Sequence, residues 1–412
     1  MKKFIFCLIL SLILCSSCSY NKKELINPID FIDNDSQVSG EGEYTNFFSK
    51  CYENKDGTKS LYIFSSPIAY EENGEFKAID NTIIKCKKQE YAYENKSNDI
   101  KMYFPYSLKD KFKITYKEDY FEFKLHEDIK GFSKAKLVNF KNMYGDYVEA
   151  VKYKGKEAEL YFYCSSAGIK CEINCKNAYY LKELNFKVYN LDLSANTDMR
   201  DLVVFKDHHN NEVKNIIRKP YEQKNGKIIY GKEIQVLKLN DCYRLTFSAE
   251  DSLKMDLSFE MYKDKMFDGF NDKNYKYATY LDNICTLSED CTLFIQNQLE
   301  KYSNIDNKNI QKVYFYFRNF SDSDMKMDFY KISEIWSTVL TTVNPPEKLE
   351  FCLTENIKSN SYNKIDLTKM FFKNGEKITD TYGIAVKTKN NCSVSVSDNY
   401  QYPYYYELIY KN

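Results

Sequence analysis

Apolar and polar residues alternate along most of this chain. The period is two, the spacing that sends neighbouring side chains to opposite faces of a strand. Leu61-Tyr62-Ile63-Phe64 begins the pattern. Pro67-Ile68-Ala69-Tyr70 and Phe76-Lys77-Ala78-Ile79 read as strands around an Asn73-Gly74 hairpin turn, with Asp80-Asn81 ending the second. Residues 112–116 and 120–125 read as another hairpin, and 160–164 pairs with 169–173. Residues 184–193, 228–230, 234–237, 243–247 and 255–261 continue the series. Near the end, alternation places Tyr404, Tyr406 and Leu408 on one face and Tyr405 and Glu407 on the other. Short strands at this spacing predict an all-β protein of tandem antiparallel β-sandwich (jelly-roll-like) domains.

The first residues break the pattern. Met1-Lys2-Lys3 is followed by an apolar run of about 11 residues, then Cys15-Ser16-Ser17-Cys18. This predicts a signal peptide over 1–17, too short to span a bilayer, which takes roughly 20 apolar residues. Cys18 after two serines resembles a bacterial lipobox. The resemblance implies lipidation (palmitate among the acyl chains) at Cys18 and a place on the extracytoplasmic face of the cell membrane. Cys15 stands where that family usually has Leu or Val. Residues 18–55 are polar and predict a flexible tether.

Composition narrows the class. Tyr 38 and Phe 28 suit half-buried sheets, and the turns fall to Asn, Asp and Lys because Gly 13 and Pro 7 are few. Basic and acidic residues balance at 59 each, and losing Lys2 and Lys3 leaves the mature chain at −2. A nucleic-acid partner is therefore not expected; a local basic patch for an acidic polymer stays open. Of the 13 cysteines, ten follow Cys18. Cys285 with Cys291, or two of Cys164, Cys171 and Cys175, could pair; buried thiols explain them equally well.

Two stretches carry family resemblance. The segment from Ser65-Ser66-Pro67 through Glu71-Glu72-Asn73-Gly74 to Ile79-Asp80-Asn81-Thr82, followed by Met102-Tyr103-Phe104-Pro105 and Ala167-Gly168-Ile169, resembles the β-rich N-terminal region of Rhs-type and wall-associated surface proteins. The second runs from about residue 266. It joins Trp336, Leu340-Thr341-Thr342-Val343-Asn344-Pro345-Pro346, Ile365-Asp366-Leu367-Thr368 and Tyr382-Gly383-Ile384-Ala385-Val386-Lys387 to a last strand after Pro403. That succession is similar to the DNRLRE domain, a module related to carbohydrate-binding β-sandwiches. The expected division is then 56–262 for the N-terminal β-sandwich region, in one or two subdomains, and 263–412 for the DNRLRE-like module.

Candidate chemistry is sparse. Trp336, the only tryptophan, could stack on a sugar, although core packing explains it better. Tyr400 and Tyr402, before Pro403, are the tyrosines expected to be exposed for a ligand. Asp322, Asp324 and Asp328 could hold a structural Ca²⁺ through oxygen, against the plainer reading of a solvated loop. Asp268 and Asp272 are equally open. Asp207-His208-His209 reads as a solvent turn rather than a metal site. The sequence holds no GxSxG, HExxH, GxGxxG or phosphate-cradling glycine loop. The expectation is a non-catalytic, lipid-anchored surface protein without a cofactor. Its C-terminal sandwich binds a surface polymer, a glycan in the first instance. The alternatives are an accessory protein with a surface-protein partner and, more weakly, a polysaccharide-active enzyme.

Overall fold

A computed structural model shows the architecture. It describes residues 29, 32, 37–126, 131–142, 147–165, 168–177, 184–190, 202–206, 213–224, 227–230, 234–248, 254–261, 268–272, 284–289, 291–295, 305–335, 345–372, 381–395 and 403–411. The protein is all-β, with antiparallel strands in four main sheets and one small hairpin.

The first sandwich is made from residues 80–261. Its front sheet runs in the order Gln235–Lys238, Tyr243–Phe247, Leu184–Tyr189, Asp119–Leu125, Phe112–Tyr116, Ile100–Pro105, Tyr91–Ser97, Asp80–Lys85. The back sheet runs Lys136–Lys141, Tyr147–Lys154, Ala158–Cys164, Gly168–Cys175, Lys254–Met261, Val213–Lys224, Leu202–Lys206, with Lys227–Tyr230 on Val213–Lys224. One core fills the space between them. Phe112 stacks on Phe162 at 4.2 Å and Phe123 on Phe259 at 4.0 Å, ring contacts that join the two sheets. The region expected to form one or two subdomains thus shares a single core.

The second sandwich is discontinuous in sequence. Its long sheet is ordered Val38–Asn46, Ser49–Asn54, Lys59–Phe64, Tyr405–Tyr410, Ile310–Asn319, Cys392–Ser395, Ile284–Leu287, and Ser361–Asp366 also pairs with Ile310–Asn319. The short sheet is Asp268–Asp272, Cys291–Ile295, Gly383–Thr388, Met325–Ile332, Leu349–Ile357. Their shared core includes Leu61 and Ile63 from early in the chain beside Val313, Phe315, Phe329, Tyr404 and Tyr406.

This corrects two expectations. The tether drawn over 18–55 is strand from Val38 to Asn46 and again from Ser49 to Asn54. Residues 56–64, assigned above to the N-terminal region, lie in the second sandwich, because Lys59–Phe64 pairs with Tyr405–Tyr410. The physical reason is a buried polar seam. Glu407 faces out from the long sheet but is only 4 % exposed. Its Oε1 accepts from Tyr62 Oη (2.9 Å) and Ser60 Oγ (3.2 Å), and its Oε2 from Tyr316 Oη (2.6 Å) and Lys364 Nζ (3.1 Å). A carboxylate can be buried only when its oxygens are filled in this way. Burial and the Glu407 charge push the Tyr316 phenol far above its ordinary pKa, so it stays a donor. Tyr405 seals the seam by stacking on Tyr316 at 4.5 Å.

The expected pairings recur. Leu160 faces Ile173 and Cys164 faces Ile169. Asn73 and Gly74, at φ 56 and 84, close the Ala69–Glu72/Glu75–Ala78 hairpin. Tyr404, Tyr406 and Leu408 enter the core while Tyr405 joins a separate cluster on the other face. Asp80-Asn81, expected to end a strand, instead opens Asp80–Lys85: Asp80 Oδ1 accepts from Thr82 N (3.0 Å) at a register shift. Cys164, Cys175 and Cys392 are thiols, and burial pushes Cys175 up to about 11 and Cys392 up to about 12. Cys291 Sγ lies 3.0 Å from Ser288 Oγ, within hydrogen-bond reach, and no disulfide involves it. These are inert packing cysteines.

Candidate functional site

The outer face of the short sheet presents a candidate site among the described residues. In Met325–Ile332, Met325, Met327 and Phe329 pack inward, so Lys326, Asp328 and Tyr330 point out. The neighbouring edge strand, Leu349–Ile357, pairs Thr354 with Asp328 and Leu353 with Phe329, but then Phe351 with Tyr330. Cys352 is the extra residue of a β-bulge. The bulge reverses the alternation. Leu353 packs on the core, whereas Phe351, on the same parity, emerges 55 % exposed on the outer face. Its ring meets Tyr330 edge to face at 5.6 Å, and Lys387 Nζ lies 5.0 Å from the centre of the Tyr330 ring.

One step along the same two strands, Asp328 and Thr354 line an open cleft of about 660 Å³. Asn356, Asp324, Lys358 and Lys389 complete its polar rim. Thr354 Oγ1 donates to Asp328 Oδ1 (2.5 Å). Lys358 Nζ donates to Asp324 Oδ2 (2.7 Å) and Ser359 N to Asp324 Oδ1 (2.8 Å). The Lys358 ammonium and then the Ser359 N–H hold Asp324 below the usual carboxylate range. That direction is wrong for a general acid, which needs a raised pKa. The arrangement offers donors, acceptors and an aromatic surface at one open edge.

The three acids singled out in the sequence are not brought together as a cage. Asp324 and Asp328 share the cleft, each engaged by its own protein donor, while Asp322 Oδ1 accepts from Asn360 Nδ2 (3.3 Å). The strand begins only at Met325, so the acids do not share one alternating face. Among the described residues, no three His, Cys, Asp or Glu side chains are placed to hold a metal ion. Cys18, Trp336, Tyr400, Tyr402 and the Asp207-His208-His209 turn lie outside the described residues, as do the side chains of Asp268 and Asp272. Sequence reasoning missed Tyr330 and Phe351. Tyr330 was legible as an outward residue of an alternating run; Phe351 was not, because its direction depends on a bulge set by the partner strand.

No protein-family model matches the chain, and no curated protein is similar to it. Solved structures offer only distant likeness. Two crystal structures of an exo-β-1,3-galactanase from Phanerochaete chrysosporium, one with β-1,3-galactotriose and one with galactose, share 8% identity with it at TM-scores of 0.14 and 0.13. The alignments cover 88% and 92% of this chain and 78% and 86% of theirs. Likeness at this level carries no argument about fold or function.

Proposed function

We propose that this is a non-catalytic, lipid-anchored surface protein whose second sandwich binds a surface glycan. The observation that carries the reading is the bulge-turned Phe351 beside Tyr330, on the same two strands as Asp328 and Thr354, which line a cleft rimmed by carboxylate, amide, hydroxyl and ammonium groups. Sugars need this combination: a ring against their C–H face and polar groups for their hydroxyls. Asp324, held in its ionised form, fits an acceptor rather than an acid catalyst. Lipid on Cys18 would hold the protein at the extracytoplasmic face of the membrane.

The test uses the whole chain from Ser19 on, since a 263–412 fragment lacks strands of the second sandwich. It is screened against immobilised neutral and acidic polysaccharides. Phe351→Ala is expected to weaken binding about tenfold, roughly 1.4 kcal/mol, with the melting temperature unchanged. Silence across the panel, or full affinity in Phe351→Ala, refutes the glycan reading. Membrane retention of a Cys18→Ala protein refutes the anchor.

A further inference from the structure

The candidate site in the second sandwich has a direction. Along Met325–Ile332, the residues Tyr330, Asp328 and Lys326 follow one another on the outer face. Each has its partner on Leu349–Ile357: Phe351 beside Tyr330, Thr354 beside Asp328, Asn356 beside Lys326. Rings therefore lie at one end, and an amide and an ammonium at the other. Four residues of strand, about 14 Å, separate Tyr330 from Lys326, room for roughly three pyranose rings laid end to end. Both ends meet water. Phe351 is 55 % exposed, and Lys358 and Lys389 at the far end are exposed too. Across the sheet the face closes instead. The row of Tyr330 continues to Ala385 and Phe294, which are 0 % and 2 % exposed. A ligand lying across the strands would lose its ring contact after Tyr330.

The midpoint of this trough carries two charges held apart. Lys387 stands directly opposite Asp328, and both point outward because Phe329 and Val386 enter the core. Opposite charges so placed favour closing on each other. Here each is turned to a neutral group. Asp328 Oδ1 accepts from Thr354 Oγ1 (2.5 Å), and the Lys387 ammonium lies 5.0 Å from the centre of the Tyr330 ring. A sugar hydroxyl is donor and acceptor at once, so it bridges a carboxylate and an ammonium in this arrangement. The cleft's two acids and three lysines nearly balance, which leaves selection to hydroxyl hydrogen bonds rather than to net charge.

Resting on the glycan reading above, we infer that the ligand is an extended, linear glycan of the β-1,4-linked kind, held by an internal stretch that runs lengthwise on Met325–Ile332 and Leu349–Ile357. A site that recognises chain ends needs a wall at one end, and neither end of this trough is buried. A straight trough along two strands follows an extended polymer over several sugars. A coiled α-1,4-linked chain would leave it after the first rings.

The test is isothermal titration calorimetry of the whole chain from Ser19 on. The probes are cello-oligosaccharides and N-acetylated chito-oligosaccharides, from monosaccharide to hexasaccharide, with malto-oligosaccharides as the α-1,4-linked control. Affinity for a β-1,4-linked series should rise about tenfold from the disaccharide to the tetrasaccharide and then level off. Reducing the terminal unit of the hexasaccharide to its alditol should leave affinity unchanged. Asn356→Ala should weaken the tetrasaccharide about fivefold and leave the disaccharide as it was. Thr292→Val, next to Lys387 across the sheet, should change neither. A melting temperature equal to the parent's shows that each variant has kept its fold. Equal affinity for disaccharide and hexasaccharide, loss on reducing the end, stronger binding of the malto series, or weakening by Thr292→Val alone overturns the lengthwise grip and leaves a glycan site in place. Silence of both β-1,4-linked series overturns it as well; the glycan reading falls with it only if the polysaccharide panel is silent too.

Discussion

The two sandwiches solve the same problem with different materials. The first spans one stretch of chain and is joined by stacked phenylalanines, Phe112 on Phe162 and Phe123 on Phe259. The second is assembled from both ends of the described chain, and its ends meet at a buried carboxylate. Apolar stacking is tolerant of partner identity, since rings of similar size repack at modest cost. The Glu407 seam is not. Four donors from three strands converge on two oxygens, so a displaced Lys59–Phe64 would leave one carboxylate oxygen without its two hydroxyl donors. A split domain gains from such a seam, which recognises its missing strand by polar geometry as well as by hydrophobicity.

The largest expected effects separate the two directly. Glu407→Leu leaves the Tyr62, Ser60 and Tyr316 hydroxyls without their acceptor and should cost on the order of 3–5 kcal/mol. Phe123→Ala opens the first core and should cost about the same, 3–5 kcal/mol. Calorimetry of the intact chain is expected to show two transitions, one lowered by each variant. If both variants lower the same transition, the sandwiches form one cooperative unit and the contrast between them fails.

The smallest expected effect should not distinguish them at all. Each sandwich has a half-exposed Asp–Lys pair, Asp80 with Lys96 at 2.7 Å and Asp366 with Lys312 at 3.1 Å. Burial pulls both carboxyls up, yet hydrogen bonds outweigh it, from Lys96 and Thr82 in one case and from Thr368 and Lys312 in the other. Both pKa values end below the ordinary range. Their stabilisation is therefore fully present above about pH 4 and is lost as pH falls through the folded values. Solvent screening keeps each under about 1 kcal/mol. Asp80→Asn and Asp366→Asn should each lower one transition slightly at pH 6–8, and the difference from the parent should vanish as pH falls through the folded values.

Much of the architecture was legible in local pattern. The hairpin Phe112–Tyr116/Asp119–Leu125 and the opposite facing of Tyr404 and Tyr405 follow from alternation alone. The strand Val38–Asn46 was hidden because most of its side chains are polar or small, among them Ser39, Gly40 and Gly42. Gly42 has a packing reason: a Cβ there would lie 2.5 Å from the Tyr52 ring. That contact involves a neighbouring strand, and no local rule reports it. The seam between Tyr62 and Glu407 joins residues 345 positions apart, and alternation says which way each points but not what it meets. The same limit hid Phe351, whose face is set by a bulge.

The most direct test of the split-domain account is the thermal unfolding of a chain that begins at residue 65, without the strands Val38–Asn46, Ser49–Asn54 and Lys59–Phe64. The expected result is that the transition sensitive to Phe123→Ala remains while the one sensitive to Glu407→Leu disappears. Survival of both transitions near their original temperatures would contradict the account, because the second sandwich would then stand without the strands that bury Glu407.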